Sequence, residues 1–204
     1  MKIYFVTMNK EKIAESDERF NRFVKRVEAE ERVSLDIEIC PVREHLDELL
    51  DTNIEKIVQK KVIEAYRIVH LPCVVEHGGL FLDAWGGSNG LLGGIGQIVW
   101  DAVGDRMCSF LRPEDTRGAE AHSVIGYCDG KHVRLYSGIT KGVVTKHRHG
   151  DHGFRWDPIF IPAGFNKTYG RMAPEEKLET SPDEIAWEKF FQDVKADFLK
   201  TGKK

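Results

Sequence analysis

Long apolar runs are missing from this chain of 204 residues. With a mean hydropathy of -0.38, no segment reads as a membrane span, which takes about 20 consecutive apolar residues. A surplus of basic charge is missing too: 30 Lys and Arg stand against 33 Asp and Glu, a formal charge of -3. The molecule as a whole therefore offers no broad cationic surface to a nucleic acid polymer, and any anion must be gripped locally. Cysteine is scarce. Cys40, Cys73, Cys108 and Cys128 lie far apart, without the paired short spacing of a zinc knuckle. Cys40 and Cys73 fall in apolar stretches and read as small buried hydrophobes. The opening Met1 to Lys10 lacks the charged, apolar and small-residue regions of a secretory leader, so a reducing cytoplasm is the expected compartment. Repeats, low-complexity tracts and linkers are absent as well. That leaves one domain over residues 1–204, built as two interlocked lobes.

What is present is ordinary globular material, 41% hydrophobic and 31% charged. Lys2 to Thr7 is a short β-rich run, followed at once by a helix-prone segment with Ile13, Phe20, Val24 and Val27 at helical spacing. Leu35 to Cys40 reads as a second strand, Asn53 to Val69 as a helix, and Cys73 to Glu76 as a third, short strand. Strands alternating with helices imply a largely parallel sheet in this half. Glycines then crowd between Gly78 and Gly96, Gly90 among them, where the chain must turn tightly or approach something closely. His122 to Tyr127, Val133 to Tyr136 and Gly142 to Val144 read as antiparallel strands, the first two joined by a hairpin at Cys128 to Lys131. A last helix runs from Pro182 to Leu199 with Trp187, Phe191, Val194 and Phe198 on one face.

Several residues stand out against this frame. Thr7-Met8-Asn9-Lys10-Glu11-Lys12 sits where a strand ends and a helix starts. Free N–H groups and the helix dipole make such a turn an anion site, or Asn9 merely caps the helix while both lysines are solvated. Lys61 falls inside the apolar arc of Ile54, Ile57, Val58, Ala65 and Ile68. Its ammonium either snorkels to the core's edge or faces a cleft that holds phosphate or carboxylate. Glu76, at the end of its strand and followed by His77, is either part of a surface turn or a metal ligand beside a base. His147 to His152 reads as a polar loop rather than a metal site. Gly153-Phe154-Arg155-Trp156-Asp157-Pro158 either stacks a planar base and hydrogen-bonds its edge or is core structure at a proline turn.

Taken in order, these segments resemble the inosine/xanthosine triphosphate pyrophosphatase family, which removes deaminated purine nucleotides. The resemblance spans nearly the whole chain. It is carried by Thr7 to Lys12 (family T-G-N-x-x-K), the helix with Lys61, Glu76 to Phe81 (E-D-T-G-L), Gly153 to Pro158 (G-F-G-[WY]-D-P) and Lys177 with Ser181 (K-x-x-x-S-H-R). It implies an elongated α/β fold, a mixed sheet of two lobes with helices around a central nucleotide cleft, usually homodimeric. It also implies hydrolysis of a nucleoside triphosphate to the monophosphate and pyrophosphate with Mg²⁺, or Mn²⁺. Carried over by position, Asn9, Lys12, Lys61 and Lys177 hold phosphates, Glu48 and Glu76 the metal, and Phe154, Trp156 and Asp157 the base, with Thr7, Ser181 and Asp183 also at substrate-binding positions. Lys12, Glu76 and His77 fall at the catalytic positions.

The departures are specific. Met8 stands for a glycine, His77 for the catalytic aspartate, Gly78 for a threonine and Arg155 for a glycine. After Ser181 the family's His-Arg pair, which donates hydrogen bonds to a keto oxygen, is Pro182 and Asp183. An ionised aspartate only accepts, so the expected preference moves from ITP and XTP toward an amino-bearing or modified base. Two other readings stay open: a nucleotide-binding protein without turnover, and a hydrolase dedicated to one modified nucleotide.

Overall fold

Alternating Ile3 and Phe5 against Tyr4 and Val6 make the first strand two-faced, and the sheet grows on both sides of it. In the computed structural model, which describes residues 1–87, 92–153 and 155–201 (the last two by their backbone), β1 (Lys2–Val6) pairs in parallel with β2 (Glu38–Val42) and β3 (Cys73–Leu82). Antiparallel β4 (Gly118–Cys128), β5 (Val133–Val144) and β6 (Phe160–Pro162) complete one mixed sheet of order β2-β1-β3-β4-β5-β6. Helices α1 (Lys10–Glu31) and α5 (Pro182–Thr201) cover one face, with Phe5, Val74, Ile125, Trp187 and Phe190 among the residues buried between. Helix α2 (Ile54–Val69) covers the other, on Val6, Val75, Val124 and Cys128. A third apolar cluster, with Leu80, Leu82, Met107, Phe160 and Tyr169, closes the far end of the sheet beyond α3 (Gly96–Val103) and before the short α4 (Pro174–Leu178).

The expected elements are present, with three boundary corrections. The second strand begins at Glu38, because Leu35 and Ile37 bury their side chains before the ladder starts at Lys2↔Glu38. The segments Val133 to Tyr136 and Gly142 to Val144 are one strand, β5, since the long β4 offers it a partner at every position from Val133 to Val143. Most important for function, β3 does not stop at Glu76; it runs to Leu82, so Glu76 is mid-strand and buried, which overturns the surface-turn reading. Two smaller corrections concern the core: Ile68 and Cys40 are not buried, although Cys73 is.

Part of the glycine run packs the chain on itself. Gly90 lies outside the described residues, but a Cβ on Gly79 would stand 2.7 Å from the Gly93 carbonyl oxygen, and one on Gly94 would stand 2.7 Å from the Asp51 oxygen. The turn at Gly93–Ile95 can lie against β3 and the Asp51-Thr52 segment only because neither glycine has a side chain.

Candidate active site

Pairing of β1 with β3 ends at Phe5↔Val74, and β1 itself ends at Val6. From Glu76 onward β3 is hydrogen-bonded to β4 alone. A cleft opens along that unpaired edge. Successive residues of a strand point to opposite faces, so Glu76 turns to the α1/α5 side and His77 to the α2 side. The chambers on the two sides share Asn9, Lys12, Glu76, Gln97 and Arg155.

On the α2 side stand Thr7, Met8, Glu48, Lys61 and His77. Lys61 is 13% exposed and pairs with Glu48, as its place in an apolar helical arc requires of a lysine. Burial pushes its pKa down. Glu48 is held well below the usual carboxylate range, with the neighbouring His77 ring as the first cause and the Lys61 ammonium adding to it. The His77 Nε2 lies 2.9 Å from the Gly94 carbonyl. A carbonyl only accepts, so the neutral ring carries its proton on Nε2 and leaves Nδ1, 3.6 Å from Glu48, as the basic nitrogen.

The turn between β1 and α1 holds the expected cap, with one of its two lysines solvated and the other not. Asn9 is the N-cap of α1, accepting from Glu11 N at 2.8 Å and Lys12 N at 3.3 Å. Lys10 is exposed, yet Lys12 enters the cleft and reaches Glu76 at 3.2 Å. Met8 keeps a negative φ and points outward, so no glycine is required for the backbone there.

On the α1/α5 side the chamber is lined by Trp156, Asp157, Lys177, Ser181 and Asp183. Trp156 passes 3.9 Å from where a Gly78 Cβ would be, so the missing threonine side chain leaves room for the indole. Trp156-Asp157 form a tight 3-10 turn ahead of β6, and Lys177 reaches Asp157 at 2.6 Å. Phe154 lies outside the described residues. Arg155 does not alternate outward as a strand residue would: its φ is +50°, and its side chain is 14% exposed within the cleft, with Asp101 3.8 Å away. The left-handed backbone explains why a glycine suits this position.

Arg19 was not singled out from the sequence, although it occupies the buried stripe of α1 with Ser16, Phe23 and Val27. It is the same signal that marked Lys61. At 6% exposure it reaches Asp183 at 3.2 Å, Glu184 at 3.0 Å and Glu15 at 3.3 Å. Burial opposes ionisation of Asp183, but Arg19, Lys177 and Lys12 outweigh it and lower its pKa. Trp187 was read only as core; its Nε1 also donates to Glu76 Oε2 at 3.2 Å.

The loop His147 to His152 is tied back through His149 N to the Pro158 carbonyl and His152 N to the Gly170 carbonyl. Among the described residues, no group of three or more His, Cys, Asp or Glu side chains is placed to cage a metal ion. Glu48 and Glu76 on the cleft wall are nonetheless the number and kind of protein ligand suited to Mg²⁺ shared with substrate phosphates, since that ion keeps much of its water.

Comparison with known proteins agrees with this architecture. The sequence profile of the Ham1 family matches residues 3–193. A dITP/XTP pyrophosphatase of Methanopyrus kandleri is 32% identical over 192 residues, 93% of this chain and 94% of that one. That of Pyrococcus horikoshii is 31% identical over 199 residues, 97% and 98% of the two chains. Among solved structures, a HAM1 protein from Coxiella burnetii superposes with a TM-score of 0.74 at 20% identity, covering 96% of this chain and 99% of that one. The nucleoside-triphosphatase, or dITP/XTP pyrophosphatase, of Mycobacterium abscessus gives 0.65 at 26% identity, covering 87% and 92%. Profile, length and fold coincide, and the chain belongs to the Ham1 family.

Proposed function

We propose that the protein hydrolyses a purine or modified-base nucleoside triphosphate to the monophosphate and pyrophosphate, with a base preference displaced from ITP and XTP. The names of its relatives support the reaction class. The observation that carries it here is the convergence of Lys12, Lys61, Glu48, Glu76 and His77 on one cleft at the open edge of β3. Phosphoryl chemistry asks mainly for positioning and charge. In this reading Lys12 and Lys61 neutralise the phosphate chain, Thr7 and Asn9 orient it, and Lys177 stands toward its base end. Glu48 and Glu76 hold Mg²⁺ or Mn²⁺, which when bound supplies Lewis-acid charge. Nδ1 of His77 accepts a proton from the attacking water as its oxygen bonds to the α-phosphorus and pyrophosphate departs with the bridging electrons.

The displaced base preference rests on Asp183. In the family resemblance that position carries a donor; here it is a carboxylate kept ionised by Arg19, and it only accepts. A keto oxygen facing it stays unpaired, an error costing about 1–3 kcal/mol when buried, whereas an exocyclic amine is satisfied. Trp156 and Asp157 complete the base chamber in this reading, with Ser181 beside them. The test is a panel of NTPs and dNTPs, including ITP, XTP and modified bases, with pyrophosphate detected separately from orthophosphate. Release of pyrophosphate with less than a hundredfold preference for ITP over ATP supports both parts; a greater preference returns the protein to ordinary family specificity.

A binding protein without turnover is the second reading. It is favoured by one observation, that His77 commits Nε2 to Gly94 and turns Nδ1 toward Glu48 in place of the expected carboxylate. Binding without pyrophosphate release in the same panel selects it. We also propose a homodimer in a reducing cytoplasm, to be checked by sedimentation and by localisation; the four free cysteines suit the latter.

A further inference from the structure

Each of the three cleft lysines already has a carboxylate partner. Lys12 faces Glu76 at 3.2 Å, Lys61 is hydrogen-bonded to Glu48, and Lys177 faces Asp157 at 2.6 Å. Glu76 and Asp157 are buried, and all three lysines are well covered. In so dry a setting a triphosphate meeting this cleft alone encounters neutral pairs, and each phosphate–lysine contact it gains exposes a carboxylate to a second anion.

We infer that the resting cleft is self-neutralised, and that divalent cation and triphosphate enter by exchange of partners: Glu48 and Glu76 turn from lysine to the cation while Lys61 and Lys12 turn to phosphate. The two carboxylates therefore act as gates against a metal-free polyphosphate as well as ligands. Trp187 takes part by holding one Glu76 oxygen from the core at 3.2 Å, which leaves Oε1, the oxygen facing Lys12, as the one that changes partner. Glu48, 37% exposed and with the His77 ring 3.6 Å away, has among the described residues no hydrogen bond from a buried side chain like that of Trp187, and is the freer gate. The inference rests on the cleft being a triphosphate site, as proposed above, and adds that metal and phosphate affinities are linked through these pairs.

The test uses calorimetric binding of the methylene-bridged, uncleavable analogue of inorganic tripolyphosphate, which carries no base. It is titrated into the full chain and into Glu48→Gln, in EDTA and in Mg²⁺, with circular dichroism and thermal melting confirming that the isosteric variant is folded. The parent should bind at least tenfold more tightly in Mg²⁺ than in EDTA. Glu48→Gln should bind the analogue about five- to tenfold more tightly than the parent in EDTA, and should gain less than the parent from Mg²⁺. If Glu48→Gln binds no better than the parent in EDTA while the parent does bind, the exchange is overturned and the triphosphate site stands. If neither protein binds the analogue with or without Mg²⁺, the site itself is overturned along with the exchange. Glu76→Gln gives an independent arm, with the same sign expected and the same reversal decisive.

Discussion

The indole Nε1 of Trp187 donates to Oε2 of Glu76 at 3.2 Å across 111 residues of sequence. One wall of the cleft is thereby fastened to the centre of the largest apolar cluster, where Trp187 packs edge-on to Phe5.

Trp187→Phe removes that donor and part of the packed volume. An unsatisfied buried carboxylate oxygen costs about 1–3 kcal/mol, and a smaller ring adds a cavity cost. We expect unfolding free energy to fall by about 2–4 kcal/mol in urea. If Glu76 is positioned by the indole, kcat should fall with KM little changed. A loss of stability with kcat intact would reduce Trp187 to a core residue.

Lys61→Ala should weaken nucleotide binding by about 1.5–3 kcal/mol, the usual worth of a charge-assisted contact. The variant also leaves Glu48 with His77 as its remaining close partner. Equilibrium binding on the folded variant decides the point, and affinity equal to the parent's removes Lys61 from the phosphate site.

His77 offers a base at Nδ1 alone. His77→Ala should lower kcat by about a hundredfold or more, within the range of general acid–base contributions of about 10²–10⁴. The check is kcat of the folded variant beside the parent at saturating nucleotide. Unchanged kcat in the variant sinks the assignment.

Asp183 has a pKa lowered from its ordinary 3.8. A carboxylate whose pKa is lower folded than unfolded contributes stability above its unfolded pKa, and that contribution fades as pH falls through the folded value. Asp183→Asn should therefore be less stable than the parent at pH 7, by about 1–3 kcal/mol for a hydrogen-bonded charge. The difference should narrow below about pH 4, the ordinary aspartate range. Urea midpoints of both proteins at pH 7, 5, 4 and 3 test this, and a gap that widens on acidification contradicts it. The same variant presents an amide donor to the base, so its kcat/KM for ITP relative to ATP should rise.

How far could the sequence be read? Helices α2 and α5 were legible because their apolar residues keep helical spacing, and the hairpin after Cys128 because Asp-Gly marks such a turn. Lys61 betrayed itself by being charged in an apolar arc. Arg19 carried the same mark and went unread, since Ser16 made its stripe look polar. The extent of β3 was hidden by Gly78 and Gly79, which look like a turn; in the strand Gly79 packs closely on Gly93 and Gly78 faces Trp156. Partnerships such as Trp187 with Glu76, or His77 with Gly94, depend on which faces meet across the sheet, and no local pattern encodes them.

The position of α5 in the chain has a consequence for biosynthesis. Asn9, Lys12, Glu48, Lys61 and Glu76 are all synthesised more than a hundred residues before Asp183 and Trp187. A nascent chain can hold the α2 side of the cleft early, yet Glu76 lacks its indole anchor and the chamber on the α1/α5 side lacks a wall until α5 leaves the ribosome and docks. At roughly 5–20 residues per second, that interval is several seconds or longer, during which the chain bears most of the cleft's ionic groups without the indole that fixes one of them.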